Sequence, residues 1–203
     1  RDLVRSRGLG DVYKRQLPDC LTILSAGGSQ GASRINDAVV HLLSYEQKKG
    51  NINHIHGYGK HGKDTFMQSL AENGVDPDNE HFIIKEYIDN MYTCMCASDL
   101  IITRAGAMTL TELMAIGRAS ILIPYPYAAE NHQYYNALTL QNANAGRIID
   151  DKELTGAVLI DTVTKLTDDP ELLKLMSENA AKLSKHDAAG VILREITDLM
   201  GLE

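Results

Sequence analysis

The sequence predicts an α/β fold, a doubly wound parallel sheet covered by helices on both faces. Three observations predict it. Apolar runs such as Cys20-Leu21-Thr22-Ile23-Leu24 and Leu100-Ile101-Ile102 are continuous rather than alternating, as strands buried on both faces require. Each run is followed by a segment with apolar residues at three- and four-residue spacing, the period of an amphipathic helix, and that succession calls for parallel pairing through crossovers. Glycine turns at 27–31 and 105–107 join run to helix at the sheet edge where ligands bind in such folds.

In chain order, strands are predicted at 20–26, 52–57, 81–87, 99–103, 119–124 and 146–149. Helices are predicted near 32–49, 60–73, 89–97, 108–116, 130–144, 153–167, 170–185 and 187–200. The first helix rests on Ile35, Ala38, Val39, Leu42 and Leu43, which share one face. Pro124 and Pro126 break the chain after the fifth strand and leave 125–130 as a loop over the same edge. Asp169-Pro170-Glu171 is a helix start, with a capping carboxylate before a proline at the first helical position.

The 203 residues suit one domain with at most an appendage, and 44% hydrophobic with 23% charged residues is ordinary for a globular chain. A net charge of -7 argues against nucleic acid or an anionic membrane surface as the main partner. No apolar run approaches the ~20 residues that span a bilayer, and no signal peptide is legible. Three cysteines, two of them as Cys94-x-Cys96, make neither a disulfide framework nor zinc spacing, so the cytoplasm is expected. Residues 1–16 differ in character, with Arg1, Arg5, Arg7, Lys14 and Arg15 ahead of an acidic remainder and no amphipathic period. Asp11-Val12-Tyr13-Lys14-Arg15-Gln16 also matches the translation of a transposon end used in sequencing libraries. The segment is read as non-native, with the domain running over 17–203 and an N-terminal region of the natural protein lost.

Gly27-Gly28-Ser29-Gln30-Gly31 places free N–H groups and a positive helix end where an anion can sit. No acid stands near position 50 for a dinucleotide ribose, and no lysine precedes Ser or Thr as in a nucleoside-triphosphate loop. Glycine that only permits tight packing is the competing explanation. The second turn, Thr103-Arg104-Ala105-Gly106-Ala107-Met108-Thr109, offers bare backbone and a hydroxyl to a phosphate. Glu112, one turn after Thr109, can accept two hydrogen bonds from a ribose diol; alternatively it favours the helix dipole. Asn131, His132 and Gln133 open a further helix at this edge with groups suited to a neutral polyhydroxyl ligand.

"GGSQGA", "EYIDNM", "RAGAMTLTE" and "PYPYAAENHQYYNA" together resemble the C-terminal half of the MurG family of peptidoglycan glycosyltransferases, from about Leu21 to about Met200. The resemblance implies one Rossmann-like half of a GT-B enzyme, which transfers N-acetylglucosamine from UDP-N-acetylglucosamine to lipid I, giving lipid II by an inverting mechanism. It places Ser29 near the donor phosphate and sugar, and Ile88 against uracil through its backbone. Ala107, Met108 and Thr109 offer N–H groups to the diphosphate, Glu112 holds the ribose, and Gln133 with His132 binds N-acetylglucosamine hydroxyls. Arg104 matches the family without a settled role, either reaching a phosphate or supporting the turn.

No cofactor is implied. Asp150-Asp151 are adjacent loop acids, not the Asp-x-Asp metal motif of some transferases. The catalytic base, the lipid I acceptor site and the membrane-docking patch belong to the family's N-terminal half, so no catalytic residue is expected in this chain. The complete enzyme is expected at the inner face of the cell membrane. A lipid glycosyltransferase, a UDP-N-acetylglucosamine 2-epimerase and a non-catalytic nucleotide-binding module are the alternatives.

Overall fold

The computed structural model describes residues 20–184 and 188–200; the basic segment 1–16 and the boundary at 17 lie outside them. Strands β1 (Leu21–Ala26), β2 (Ile52–Gly57), β3 (Phe82–Lys85), β4 (Leu100–Thr103), β5 (Ala119–Leu122) and β6 (Gly146–Ile148) form one sheet in the order β3-β2-β1-β4-β5-β6. All five pairings are parallel. The chain winds outward from β1 to β3, then returns to the far side of β1 and winds the other way. β1 and β4 are therefore neighbours whose exits diverge, the switch point of a doubly wound sheet.

The crossovers are α1 (Ser33–Lys49), α2 (Lys63–Glu72), α3 (Met91–Ala97), α4 (Ala107–Ile116) and α5 (His132–Asn142). After β6 come α6 (Gly156–Thr167), α7 (Pro170–Lys182) and α8 (Ala188–Met200). Among the described residues every predicted element is present, with shifted ends; the helix ends expected at 185 and 187 lie outside them. The helix expected over 60–73 opens as a 3-10 turn at Lys60–Gly62, and that expected from 153 starts at Gly156 after a 3-10 turn at Asp151–Glu153. The strand expected over 81–87 spans Phe82–Lys85, its last register partner being Gly57. Among the described residues no helix is long and apolar enough to cross a membrane.

Both faces of the sheet are apolar, which is why the strands read as continuous runs. Ile23, Leu100, Ile102 and Ile121 pack with Val39, Leu42 and Leu43 of α1 and Leu159 and Val163 of α6. Their alternates Leu24, Ile101 and Leu122 pack with Leu110 and Leu113 of α4 and Leu140 of α5. Each such side chain contributes roughly 1.5–3 kcal/mol by leaving water.

One buried patch is polar. The His54 ring joins Glu46 Oε2 through Nδ1 at 2.7 Å and the Ser25 hydroxyl through Nε2 at 2.7 Å, and Ser25 Oγ lies 2.7 Å from His56 Nδ1. Parallel register sets Ser25 beside His56, and Glu46 comes down from α1. The order of groups is that of a nucleophile–base–acid triad, yet Ser25, His54 and His56 are 0% exposed and Glu46 1%. With no route for a substrate, the chain of bonds is a structural one that pairs most of its buried polar atoms and leaves Glu46 Oε1 and His56 Nε2 without a partner.

The first glycine turn is wedged against the exit of β2. Lys60 N–H donates to Ser29 O at 3.1 Å and His61 N–H to Gln30 O at 3.1 Å. Gly31 and Gly59 have φ of 86° and 77°, and a Cβ on Gly59 would lie 2.1 Å from Gly31 N. Gly28, φ 93°, has nothing within 4 Å of a Cβ.

Two outcomes are expected. Gly59→Ala combines a backbone clash with a left-handed φ and should destabilise by more than about 2 kcal/mol, whereas Gly28→Ala should lose only about 1 kcal/mol. Chemical denaturation of both variants checks the order, and equal losses would remove the packing argument. For His56, burial above all, then neighbouring His54, pushes the pKa from 6.5 down to about 3. The unfolded chain then takes up the proton first, so the stability due to a neutral His56 is complete above 6.5 and declines as pH falls toward about 3. The slope should be about 1.4 kcal/mol per pH unit steeper in the parent than in His56→Gln, measured by denaturation across that window.

Candidate functional site: the carboxyl edge of the sheet

The turns after β1, β4 and β5 meet at the switch point. At the first, Gly28 and Ser29 are exposed while Gly27 and Gly31 are held by neighbouring backbone. Both readings of the motif therefore apply, to different residues: Gly27 and Gly31 permit close packing, and Gly28-Ser29 is the part open to a ligand. α1 begins at Ser33 with no side-chain cap and no acid in its first turn, so its leading N–H groups and positive end are unanswered by the protein's own side chains.

α4 is alike. Gly106 is its N-cap, no side chain accepts from its first N–H groups, and its first turn carries no acid. Ala107 and Met108 are exposed there, Met108 to 75%, and Thr109 is half-buried. By contrast α6 and α7 are capped by their own side chains, Thr155 accepting from Val158 N–H and Asp169 from Leu172 N–H. Side-chain caps are likewise absent at α2, α3 and α5, so all five crossover helices begin bare, α2 alone with an acid, Asp64, in its first turn. Glu112 is exposed and lies in the second turn of α4, beyond the first turn where a helix dipole acts. That position removes the dipole explanation and leaves a solvent-facing carboxylate one turn from Thr109.

After β5 the chain runs through Pro124 and Pro126, with Tyr125 and Tyr127 stacked edge to face at 5.7 Å. Glu130 and Asn131 have φ of 50° and 55°, a conformation that a glutamate adopts only at a cost. The two residues turn the chain into α5, whose first residues are His132 and Gln133. Gln133 Oε1 accepts from Tyr125 N–H at 3.0 Å, which leaves the carboxamide N–H groups as donors. His132 Nδ1–H donates to Ala129 O at 2.8 Å, which leaves Nε2 for a ligand. Ile88 is 4% exposed, its side chain packed against Gly57 and so withdrawn from any base.

The structure brings Ser29, Ala107, Met108, Thr109, Glu112, His132 and Gln133 to one sheet edge, with Ile88 on the loop that follows β3. Arg104 is engaged within the protein. Arg104 Nη1 donates to Ile123 O and Pro124 O, each at 3.2 Å, and to Asp151 Oδ1 at 2.6 Å, with the guanidinium 5.6 Å from the Tyr125 ring centre. Arg104 thus supports the start of the loop after β5. Asp151, expected to be a loop acid, is 9% exposed and also pairs with Arg34 Nε at 3.2 Å. Neither Arg34 nor Asp151 stood out in the sequence. Two adjacent acids after β6 were the only signal, and the partners of Asp151 lie 117 and 47 residues away.

Comparison with known proteins agrees with this geometry. The model of the glycosyltransferase family 28 C-terminal domain matches residues 22–192. The UDP-N-acetylglucosamine--N-acetylmuramyl-(pentapeptide) pyrophosphoryl-undecaprenol N-acetylglucosamine transferase of Desulforamulus reducens is 39% identical over 183 residues, 90% of this chain and 49% of the relative. The chain thus spans about half the length of that relative. The crystal structure of Acinetobacter baumannii MurG superposes with a TM-score of 0.76 at 28% identity, covering 96% of this chain and 55% of that one. The S. aureus MnaA–UDP structure gives 0.73 at 12% identity, over 97% and 50%, a likeness of fold. With the family model spanning nearly all of the described residues, this chain belongs to the family of glycosyltransferase family 28 C-terminal domains.

Proposed function

We propose that residues 17–203 are the donor-binding half of an inverting hexosyltransferase that moves N-acetylglucosamine from UDP-N-acetylglucosamine to lipid I in peptidoglycan synthesis. The observation that carries this reading is the uncapped N-terminus of α4 with an unanswered carboxylate, Glu112, one turn further on. N–H groups of Ala107, Met108 and Thr109 suit a diphosphate, and the carboxylate suits the ribose diol beside it. Gln133, as a donor, and His132 Nε2 supply neutral polar contacts for sugar hydroxyls. The buried Ile88 offers uracil its backbone, and Ser29 lies on the open part of the first turn. The name borne by the Desulforamulus reducens relative supports the same donor and acceptor.

In this reading an acceptor hydroxyl attacks the anomeric carbon from the face opposite the diphosphate. The C1–O bond breaks, its electron pair passes to the phosphate oxygen, and the hydroxyl proton goes to a base outside these 203 residues. As charge grows on the leaving UDP, the fixed N–H groups at the start of α4 stabilise it without reorganising. Binding of the lipid acceptor, and docking at the inner face of the membrane, are assigned to the partner half.

Titration calorimetry tests the donor reading. The chain should bind UDP and UDP-N-acetylglucosamine in preference to NAD or ATP, and equal or tighter binding of NAD would overturn it. Glu112→Ala should weaken UDP binding by about 1–3 kcal/mol, the usual loss for a charge-assisted hydrogen-bonding group. The variant should also stop distinguishing UDP from its deoxyribose analogues; undiminished discrimination would remove Glu112 from the site. Transfer to lipid I is expected only after fusion of an N-terminal domain from a close relative before Leu21, assayed as lipid II formed.

A further inference from the structure

Four loops at the carboxyl edge are linked through one carboxylate, two of them by arginines that it holds and one through Arg104 in turn. Asp151, in the 3-10 turn after β6, places Oδ1 2.6 Å from Arg104 Nη1 and Oδ2 3.2 Å from Arg34 Nε. Its backbone carbonyl accepts a further bond from Arg34 Nη1 at 3.3 Å. Arg34 is the second residue of α1, directly behind the first glycine turn, and Arg104 stands two residues before the N-cap of α4. Arg104 also fixes the carbonyls of Ile123 and Pro124, and the next residue, Tyr125, donates its N–H to Gln133.

From these contacts we infer that Asp151 is a positioning residue, one that sets the sugar-binding Gln133 relative to the nucleotide-binding start of α4 by holding Arg104 between them. The inference rests on the donor-binding reading above and deepens it.

The chemistry explains why a carboxylate is needed. Arg104 Nη1 carries two protons and faces three acceptors, so its direction is set by the strongest of them, the ionised oxygen. The arginine side chain is 16% exposed and the aspartate 9%, so water screens the pair weakly. Arg34, 53% exposed, holds the other carboxylate oxygen and keeps the plane of the group from rotating. With Asp151 neutral, the guanidinium can turn away from the two carbonyls toward solvent or toward a bound phosphate. Pro124 and Tyr125 then lose their tether, and Gln133 loses the fixed N–H that orients its carboxamide. The start of α4 is built on backbone alone and keeps its N–H groups. The effect therefore falls on the sugar and not on the nucleotide.

The test compares UDP with UDP-N-acetylglucosamine on the full chain. Asp151→Asn, nearly identical in shape, should weaken UDP-N-acetylglucosamine by about tenfold or more while changing UDP by less than about threefold. Arg104→Lys, which keeps the charge and loses the fork, should give the same pattern, and the double variant should be no worse than either single one. Thermal unfolding of each variant establishes that it is folded. If Asp151→Asn does not fold, Arg34→Gln, at the exposed end of the network, should show the same sugar-selective loss in smaller measure.

Parallel losses for UDP and UDP-N-acetylglucosamine, or no loss for either, would overturn the positioning role while leaving donor binding intact. A parent chain that binds neither ligand would overturn both.

Discussion

Parallel pairing is the constraint on which the rest of this structure depends. Parallel strands need a crossover between each pair, so every strand leaves the sheet at the same edge and every crossover helix begins there. Backbone N–H groups that a helix cannot satisfy internally are thereby gathered on one side of the molecule. The reversal of winding between β1 and β4 opens a gap between two such helix starts, those of α1 and α4. A polar site at that place needs no special side chain, only turns without Cβ groups and helix ends without caps.

Glycine is used in two ways at that edge. Gly31 and Gly59 let two turns touch backbone to backbone, which fixes the first turn against the exit of β2. Gly28 has open space around it and a left-handed φ, and contributes conformation rather than proximity. The turn is consequently rigid on one side and accessible on the other, a combination suited to a loop that presents backbone to a ligand.

Charge inside the fold is handled by pairing. Glu46, His54, Ser25 and His56 form a linear chain beneath α1, and Arg34, Asp151 and Arg104 form another under the binding edge. The first is sealed from solvent and links buried polar groups of β1, β2 and α1. The second is partly exposed and ties together loops from distant parts of the sequence. Groups of the same chemical types thus serve different ends, and their depth and their neighbours make the difference.

Much of this was legible in the residues. Continuous apolar runs identified strands covered on both faces, helical spacing identified the crossovers, and the bare turns at Gly28-Ser29 and Gly106-Ala107 pointed to the ligand edge. These are local properties: period, turn chemistry and capping are set by residues within a few positions of one another. What the sequence did not disclose were relations between distant residues. The bonds of Arg104 to the loop after β5, the burial of the loop acid Asp151 between two arginines, and Gln133 with its oxygen already engaged all depend on partners brought near by the sheet order. The placement of Glu112 beyond the first turn of α4 depended on where the helix begins, which its residue types leave open by a residue or two. Local periodicity thus determined the fold and the edge that carries the site. The direction in which each polar group points was decided only by tertiary structure, because a hydrogen bond needs its partner within about 3 Å, and chain folding alone supplies that partner.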